Sequence, residues 1–143
     1  MSWRLSYRRL AEGYLKQAGR RLRTAKGALD EDDYAFAIRQ SQECVELSLK
    51  AALRLVGIDY PKVHDVSLVL ERVGDRFPEW FAREVGFMAK ASRTLTEYRG
   101  PSVYGIEANL VPPEELFDRD DAERALGYAE RTYESCRRLL EEL

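Results

Sequence analysis

The chain has 143 residues, of which 45% are hydrophobic and 34% charged, a balance typical of one soluble globular domain. Its 23 basic and 25 acidic residues give a net charge of −2, so no overall positive field attracts nucleic acid. We find no signal peptide and no apolar run near the roughly 18 residues of a membrane span. These features predict a single domain over residues 1–143 that lies in the cytoplasm, away from membranes.

The first predicted helix covers residues 5–29, where apolar residues recur at three- and four-residue steps. The stripe consists of Leu5, Leu10, Tyr14, Leu15, Ala18, Leu22, Ala25 and Leu29. The other face is basic and carries Arg8, Arg9, Lys16, Arg20, Arg21, Arg23 and Lys26. Such a face is either a solvated surface or a contact for RNA or an acidic partner. The acidic run at 30–33 predicts the end of this helix and the N-cap of the next.

The second predicted helix covers residues 33–56 and has a face of apolar and small residues. Glu46 and Lys50 lie one turn apart in the order that favours an ion pair. They are either ordinary helix decoration or part of a polar cleft. Gly57 predicts the end of the helix, and the short acidic connection predicts that the first two helices pack as an antiparallel hairpin.

Three further helices are predicted. A short helix over residues 66–73 is capped by Asp65, and a longer one begins at Pro78 and reaches Tyr98. The stretch 99–117 contains two glycines and three prolines and is predicted to be irregular. The last helix is predicted to open with the capping box of Asp120 and Glu123. The fold class is therefore all-α, an antiparallel up-and-down bundle of four main helices plus a short one.

The two cysteines, Cys44 and Cys136, fall at apolar positions of predicted helices. A thiol in such a position behaves as a small hydrophobic group. Neither belongs to a CxxC motif or has a histidine nearby, so we predict buried, reduced thiols. The sequence predicts no metal site and no cofactor.

Candidate site residues surround the glycine- and proline-rich break after residue 98. Arg99 is either a phosphate contact or an anchor for the loop, because a planar guanidinium matches phosphate in a bidentate way. Tyr104 either stacks on a base, serves as a modification target, or packs the loop onto the bundle. His64, the one histidine of the chain, is either an acid–base group or a structural residue before the Asp65 cap.

Several short motifs, taken in order, resemble those of the HEPN (higher-eukaryote and prokaryote nucleotide-binding) domain family. The resemblance covers residues 7–139. Its motifs are Asp33-Tyr34, Glu46-x-x-x-Lys50, His64-Asp65 and Tyr98-Arg99-Gly100-Pro101. The resemblance implies a helical bundle that is often a homodimer and that in prokaryotes is frequently encoded beside a nucleotidyltransferase-like partner. It also implies that many relatives are metal-independent endoribonucleases with an Arg-x(4–6)-His motif near the dimer interface.

This chain departs from that nuclease motif, because no histidine follows Arg99. Cleavage of RNA without metal needs groups that accept and donate protons near neutral pH, and arginine stays protonated. The departure favours a binding or interaction module over an enzyme, one that engages a nucleotide, an RNA phosphate or a nucleotidyltransferase partner. Its ligand-binding residues are predicted to be Arg99, Tyr104, Glu46 and Lys50. The alternative is an endoribonuclease toxin of a toxin–antitoxin pair that uses Arg99 with His64 or Tyr104.

Overall fold

Four long and two short α-helices form the fold in the computed structural model, which describes residues 2–143. They are α1 (Trp3–Asp30), α2 (Tyr34–Leu55), α3 (Ser67–Arg72), α4 (Glu79–Ala82), α5 (Val85–Tyr104) and α6 (Arg119–Glu142). Short 3-10 helices lie at Gly74–Arg76, Glu107–Asn109 and Pro113–Glu115. The predicted all-α bundle is confirmed. Across residues 2–143, no helix combines the length and the apolar character that a membrane span requires.

The α1–α2 hairpin forms as predicted. The chain reverses at Asp32, which has a left-handed backbone (φ 60°), and Asp33 caps α2 by accepting a hydrogen bond from the Phe36 N–H at 3.4 Å. Helix α1 also packs against α6, where a glycine leaves room for a tyrosine. At Gly19 of α1, an added Cβ would lie 2.9 Å from the hydroxyl oxygen of Tyr133 on α6.

Helix α2 lies at the centre of the bundle and contacts α1, α5 and α6. It is buried on almost every side because small and apolar residues occupy most of its circumference. Its fully buried residues include Ala37, Ile38, Ser41, Cys44, Ser48, Leu49, Ala52 and Leu53. The predicted burial of both cysteines is confirmed, whereas Leu5 and Leu10, which we placed on the apolar stripe of α1, are exposed.

The prediction that residues 99–117 are irregular is wrong for their first part. Helix α5 continues through Pro101 to Tyr104, and Gly105 ends it with φ 68°. Proline removes only one backbone hydrogen bond here, and the last turn is retained by the bond from the Gly105 N–H to the Pro101 carbonyl at 2.9 Å. Arg99 and Tyr104 therefore project from a helix rather than from a loop.

Two other helix boundaries also differ from the prediction. The helix expected from Pro78 is two helices, α4 and α5, separated by a break before Val85. The cap of α6 lies two residues earlier than expected, because Asp118 and Asp121 form the reciprocal capping box at 2.9 and 3.0 Å. The connection between α5 and α6 covers residues 105–118 and contains two of the 3-10 helices and an isolated bridge between Ile106 and Val111.

Candidate functional site

An open cleft of about 340 Å³ lies where the C-terminal half of α5 crosses α2. Its lining consists of Arg39, His64, Thr96, Arg99, Gly100, Val103 and Tyr104. A second cleft of about 190 Å³ adjoins it and shares His64 and Arg99. The second lining consists of Gln17, Arg21, Glu43, Glu46, Leu47, His64 and Arg99. The fold thus brings the one histidine to the same surface as Arg99 and Tyr104, although they are far apart in the sequence.

A larger cavity, of about 420 Å³, lies at the other end of α2, beside Val56. Arg4, Arg8 and apolar side chains line it, without a histidine, lysine or acidic side chain. The chain's one histidine lines the two adjoining clefts, and we therefore take these two clefts together as the candidate site.

A chain of hydrogen bonds connects Arg99 to His64 behind the cleft. Arg99 Nη1 donates to Gln42 Oε1 at 2.7 Å, and Gln42 Nε2 donates to Glu46 Oε1 at 2.9 Å. The same carboxylate oxygen lies 2.9 Å from His64 Nδ1, and Lys50 Nζ donates to the other oxygen at 2.9 Å. Four residues predicted from the sequence thus meet in one network through Gln42, which the sequence analysis missed.

The carboxylate of Glu46 is the centre of this network and is charged at neutral pH. Burial raises the pKa of Glu46. The hydrogen bonds from Lys50, Gln42 and His64 and the charge of Lys50 lower it by a larger amount, so the pKa lies below its ordinary value. An ionised carboxylate only accepts hydrogen bonds, so Nδ1 of His64 carries a proton. In a neutral imidazole, Nε2 is then the nitrogen that can accept a proton from a ligand.

The connection between α2 and α3 positions His64 because it is anchored at both ends. At its start, Asp59 accepts hydrogen bonds from Tyr7 Oη at 2.8 Å and from Arg54 Nη1 at 2.5 Å. These two bonds lower the pKa of Asp59. At its end, Asp65 accepts from the Ser67 N–H at 2.9 Å and from Ser92 Oγ at 2.8 Å. The cap predicted at Asp65 is one residue out of place, because Val66 is the N-cap of α3 and Asp65 accepts from the Ser67 N–H from the position before it. His64 is the residue directly before Asp65.

The cleft is rich in arginine. Arg21 Nε and Arg39 Nε each bind the carboxylate of Glu43, at 3.0 and 3.2 Å. Arg99 lines both clefts as well, so the lining holds three guanidinium groups and two carboxylates, Glu43 and Glu46. Tyr104 stands at the mouth, with 66% of its surface exposed. Within residues 2–143 its ring stacks on no other aromatic side chain.

The Glu46–Lys50 pair differs from ordinary helix decoration. Only 15% of the Glu46 side chain and 16% of the Lys50 side chain are exposed. Glu46 reaches the cleft, whereas Lys50 lies behind it and does not contact Arg99 directly. Gln42 could have been found from the sequence, because it precedes Glu46 by one helical turn and therefore lies on the same face of α2.

Of residues 2–143, no three His, Cys, Asp or Glu side chains are grouped so that they could hold a metal ion. The groups that line the cleft are guanidinium, imidazole, carboxylate and phenol groups. Such a set can bind an anion and can transfer protons.

The bundle and these motifs match a known domain family. The family model described as the HEPN domain matches residues 11–139. The chain belongs to the HEPN family. This HEPN protein is 32% identical over 139 residues to a protein of Methanocaldococcus jannaschii named "Putative toxin MJ1304", with 92% of the present chain and 89% of the relative aligned.

Solved structures show the same HEPN fold. TT1696 from Thermus thermophilus is 26% identical to this chain and superposes on it with a TM-score of 0.67. The superposition covers 90% of this chain and 96% of TT1696. ST0689, described as an archaeal HEPN homologue, is 24% identical, with a TM-score of 0.67 over 91% of this chain and 97% of that one. The resemblance inferred from short motifs in the sequence is confirmed.

Proposed function

We propose that this HEPN protein binds a phosphate group of RNA in the cleft between α2 and α5. The observation that carries the proposal is that Arg99 and His64 line both adjoining clefts. Phosphate contacts supply most of the affinity of proteins for nucleic acid backbones, and arginine is well suited to them. A binding module of this kind is the function that the sequence favoured.

The network behind the cleft prepares Arg99 for this role. The hydrogen bond to Gln42 uses one N–H group of the guanidinium and fixes its orientation. The remaining N–H groups can then bind phosphate oxygens without a large loss of side-chain entropy. Tyr104 offers an exposed ring on which a neighbouring base can stack.

The test is the binding of a fluorescent dinucleotide with a 5′-phosphate, measured by anisotropy in EDTA. We expect Arg99→Ala to weaken binding by about 10-fold or more, because a charged hydrogen-bonding partner is removed. Arg72→Ala is the matched control, since Arg72 is exposed and lies outside the cleft. Equal affinity in wild type and Arg99→Ala would refute the proposal.

A second candidate function is cleavage of RNA by a ribonuclease toxin. It is supported by the position of His64, which enters the cleft from another segment although no histidine follows Arg99. The relative named a toxin adds to this support. His64, from a different segment of the chain, would then take the place of the histidine that follows the arginine in the nuclease motif.

In that reaction His64 Nε2 takes the proton of the 2′-hydroxyl, whose oxygen attacks phosphorus as the bond from phosphorus to the 5′-oxygen breaks. The leaving 5′-oxygen takes a proton from Tyr104 or from water. The products are a 2′,3′-cyclic phosphate and a 5′-hydroxyl. Arg99 stabilises the charge that develops on the phosphate oxygens.

Cleavage is tested with labelled RNA and EDTA, with a strand carrying 2′-deoxyribose as the control that lacks the nucleophile. The enzyme hypothesis requires cleavage that is lost in both His64→Ala and Arg99→Ala. If His64→Ala binds RNA normally and the wild type leaves it intact, the cleft binds RNA without cutting it.

Partner proteins also belong to this proposal. Beside Tyr104, the connection to α6 exposes Ile106 at 41% and Leu110 at 90%. We propose that this patch contacts a second copy of the chain or a nucleotidyltransferase-like partner. Leu110→Asp should then lower the molar mass measured by light scattering from that of a dimer to that of a monomer, and an unchanged mass would refute a dimer built on this patch.

A further inference from the structure

Positive charge is concentrated on α1. The helix holds eight basic and two acidic residues, whereas the rest of the chain holds 15 basic and 23 acidic ones. Only Arg8 and Arg21 of α1 form ion pairs with described residues. The six without such a pair are Arg4, Arg9, Lys16, Arg20, Arg23 and Lys26. Elsewhere in residues 2–143, ten of the 15 basic residues pair with a carboxylate.

Four of the unpaired cations form a stripe on the outer face of α1, which we call the basic stripe. They are Arg9, Lys16, Arg20 and Arg23, all exposed. At 100° per residue they lie within about 60° of arc, and at 1.5 Å per residue the stripe is about 21 Å long. Gly13 and Gly27 lie on the same side of the helix, and a Cβ added at either one would meet no other atom within 4 Å.

This arrangement lowers the stability of the helix. Lys16 and Arg20 are one turn apart, and like charges at that spacing repel each other. A solvated helix face of ordinary composition alternates charges and forms i,i+4 pairs, as Arg137 and Arg138 do with carboxylates on α6. Glu12 is the one carboxylate of α1 at i,i+3 or i,i+4 spacing from the basic stripe, and it pairs with Arg8 at 3.1 Å. The four cations of the stripe therefore form no such pair with described residues and are free to bind a ligand.

The basic stripe adjoins the cleft. Gln17 lines the cleft beside His64, and Arg20 of the stripe follows it by three residues, so the two side chains are neighbours on the surface of α1. A strand that enters the cleft with one phosphate can therefore continue along α1.

We propose that the basic stripe of α1 binds the backbone of single-stranded RNA, as a second surface that extends the cleft. The choice of RNA rests on the proposed function of the cleft, and the choice of a polyanion rests on the unpaired charge. The stripe supplies affinity and salt dependence without reading the base sequence. Its contribution grows with strand length, because a dinucleotide in the cleft does not reach it.

The experiment compares two triple variants that remove the same charge. The test variant is Lys16→Gln, Arg20→Gln and Arg23→Gln, and the control is Arg72→Gln, Arg76→Gln and Lys90→Gln. All six residues are exposed and form no ion pair with described residues. Binding of a 12-nucleotide single-stranded RNA is measured over a range of salt concentrations in EDTA. Circular dichroism confirms that both variants are folded.

We expect the test variant to bind the 12-mer more weakly. The slope of log K against log salt should become shallower by about 2, which is roughly 0.7 for each phosphate that is no longer neutralised. The control should keep the slope of the wild type. Dinucleotide affinity should be unchanged in the test variant and reduced in Arg99→Ala, so a failure of the stripe and a failure of the cleft give different results.

Three outcomes would overturn the inference. The first is the same slope in the test and control variants. The second is no binding of the 12-mer by the wild type at low salt. The third is equal binding of poly-glutamate and RNA by the wild type with equal loss in the test variant, which would assign the stripe to an acidic protein.

Discussion

Replacing Glu46 with glutamine tests how much the charged network behind the cleft stabilises the folded protein. One carboxylate oxygen accepts from both Gln42 and His64, and the other accepts from Lys50. A glutamine side chain keeps one oxygen and turns an amino group toward the remaining donors, so at least one of them loses its acceptor.

The expected loss follows from the burial of the pair. A hydrogen bond to a charged group contributes about 1.5–3 kcal/mol, and the 15% exposure of Glu46 keeps the loss below the value for a fully buried pair. We therefore expect Glu46→Gln to lower the free energy of unfolding by about 2 kcal/mol at pH 7. For a domain of this size, that corresponds to a fall in Tm of about 4–8 °C. Urea unfolding followed by circular dichroism measures the difference.

The difference should depend on pH in a defined direction. Because the pKa of Glu46 is lowered in the folded protein, the unfolded chain takes up the proton first as the pH falls. The stabilisation is complete above the ordinary glutamate pKa and is lost as the pH falls through the lower folded value. Wild type and variant should therefore converge in acid.

Glu71→Gln is the matched control, because Glu71 pairs with Arg93 at 2.7 Å but has 47% of its side chain exposed. We expect it to change the free energy of unfolding by less than about 1 kcal/mol. A Glu46→Gln variant as stable as Glu71→Gln at pH 7 would contradict this reasoning, as would a difference from wild type that is the same in acid as at neutral pH.

Three further predictions concern other parts of the fold. Gln42→Leu keeps the bulk of the side chain but removes the link to Arg99, so dinucleotide affinity should fall by about 5- to 10-fold with little change in helix content, measured by anisotropy and circular dichroism. Gly105→Ala should lower stability in thermal unfolding by more than about 1 kcal/mol, because the residue has φ 68° and the new Cβ would lie 1.9 Å from the Val111 carbonyl oxygen. Both cysteine thiols should resist Ellman's reagent until the protein unfolds, because burial raises their pKa, to about 12 for Cys44; rapid reaction of the folded protein would contradict this.

Much of the fold is readable from local sequence. The 3.6-residue period of apolar residues predicted four long helices. The acidic run 30–33 predicted the cap of α2, which is Asp33, because a side-chain oxygen before a helix meets free backbone N–H groups. The family resemblance was also local, since it rested on short motifs in a fixed order. These features depend on neighbours in the chain, which a single sequence displays directly.

Only the tertiary structure decided which candidates share a site. His64 and Arg99 line the same clefts because α5 packs against α2 and because the α2–α3 connection is anchored at Asp59 and Asp65. No local sequence pattern shows that these two residues are close in space. Packing also overrode the local signal of Gly100 and Pro101, so that α5 continues to Tyr104. The sequence by itself therefore determined the all-α class, the family and most of the candidate residues, but not the bounds of α4 and α5 or the part of Gln42. Long-range packing determined the cleft, because contacts between distant segments depend on how whole helices bury their faces.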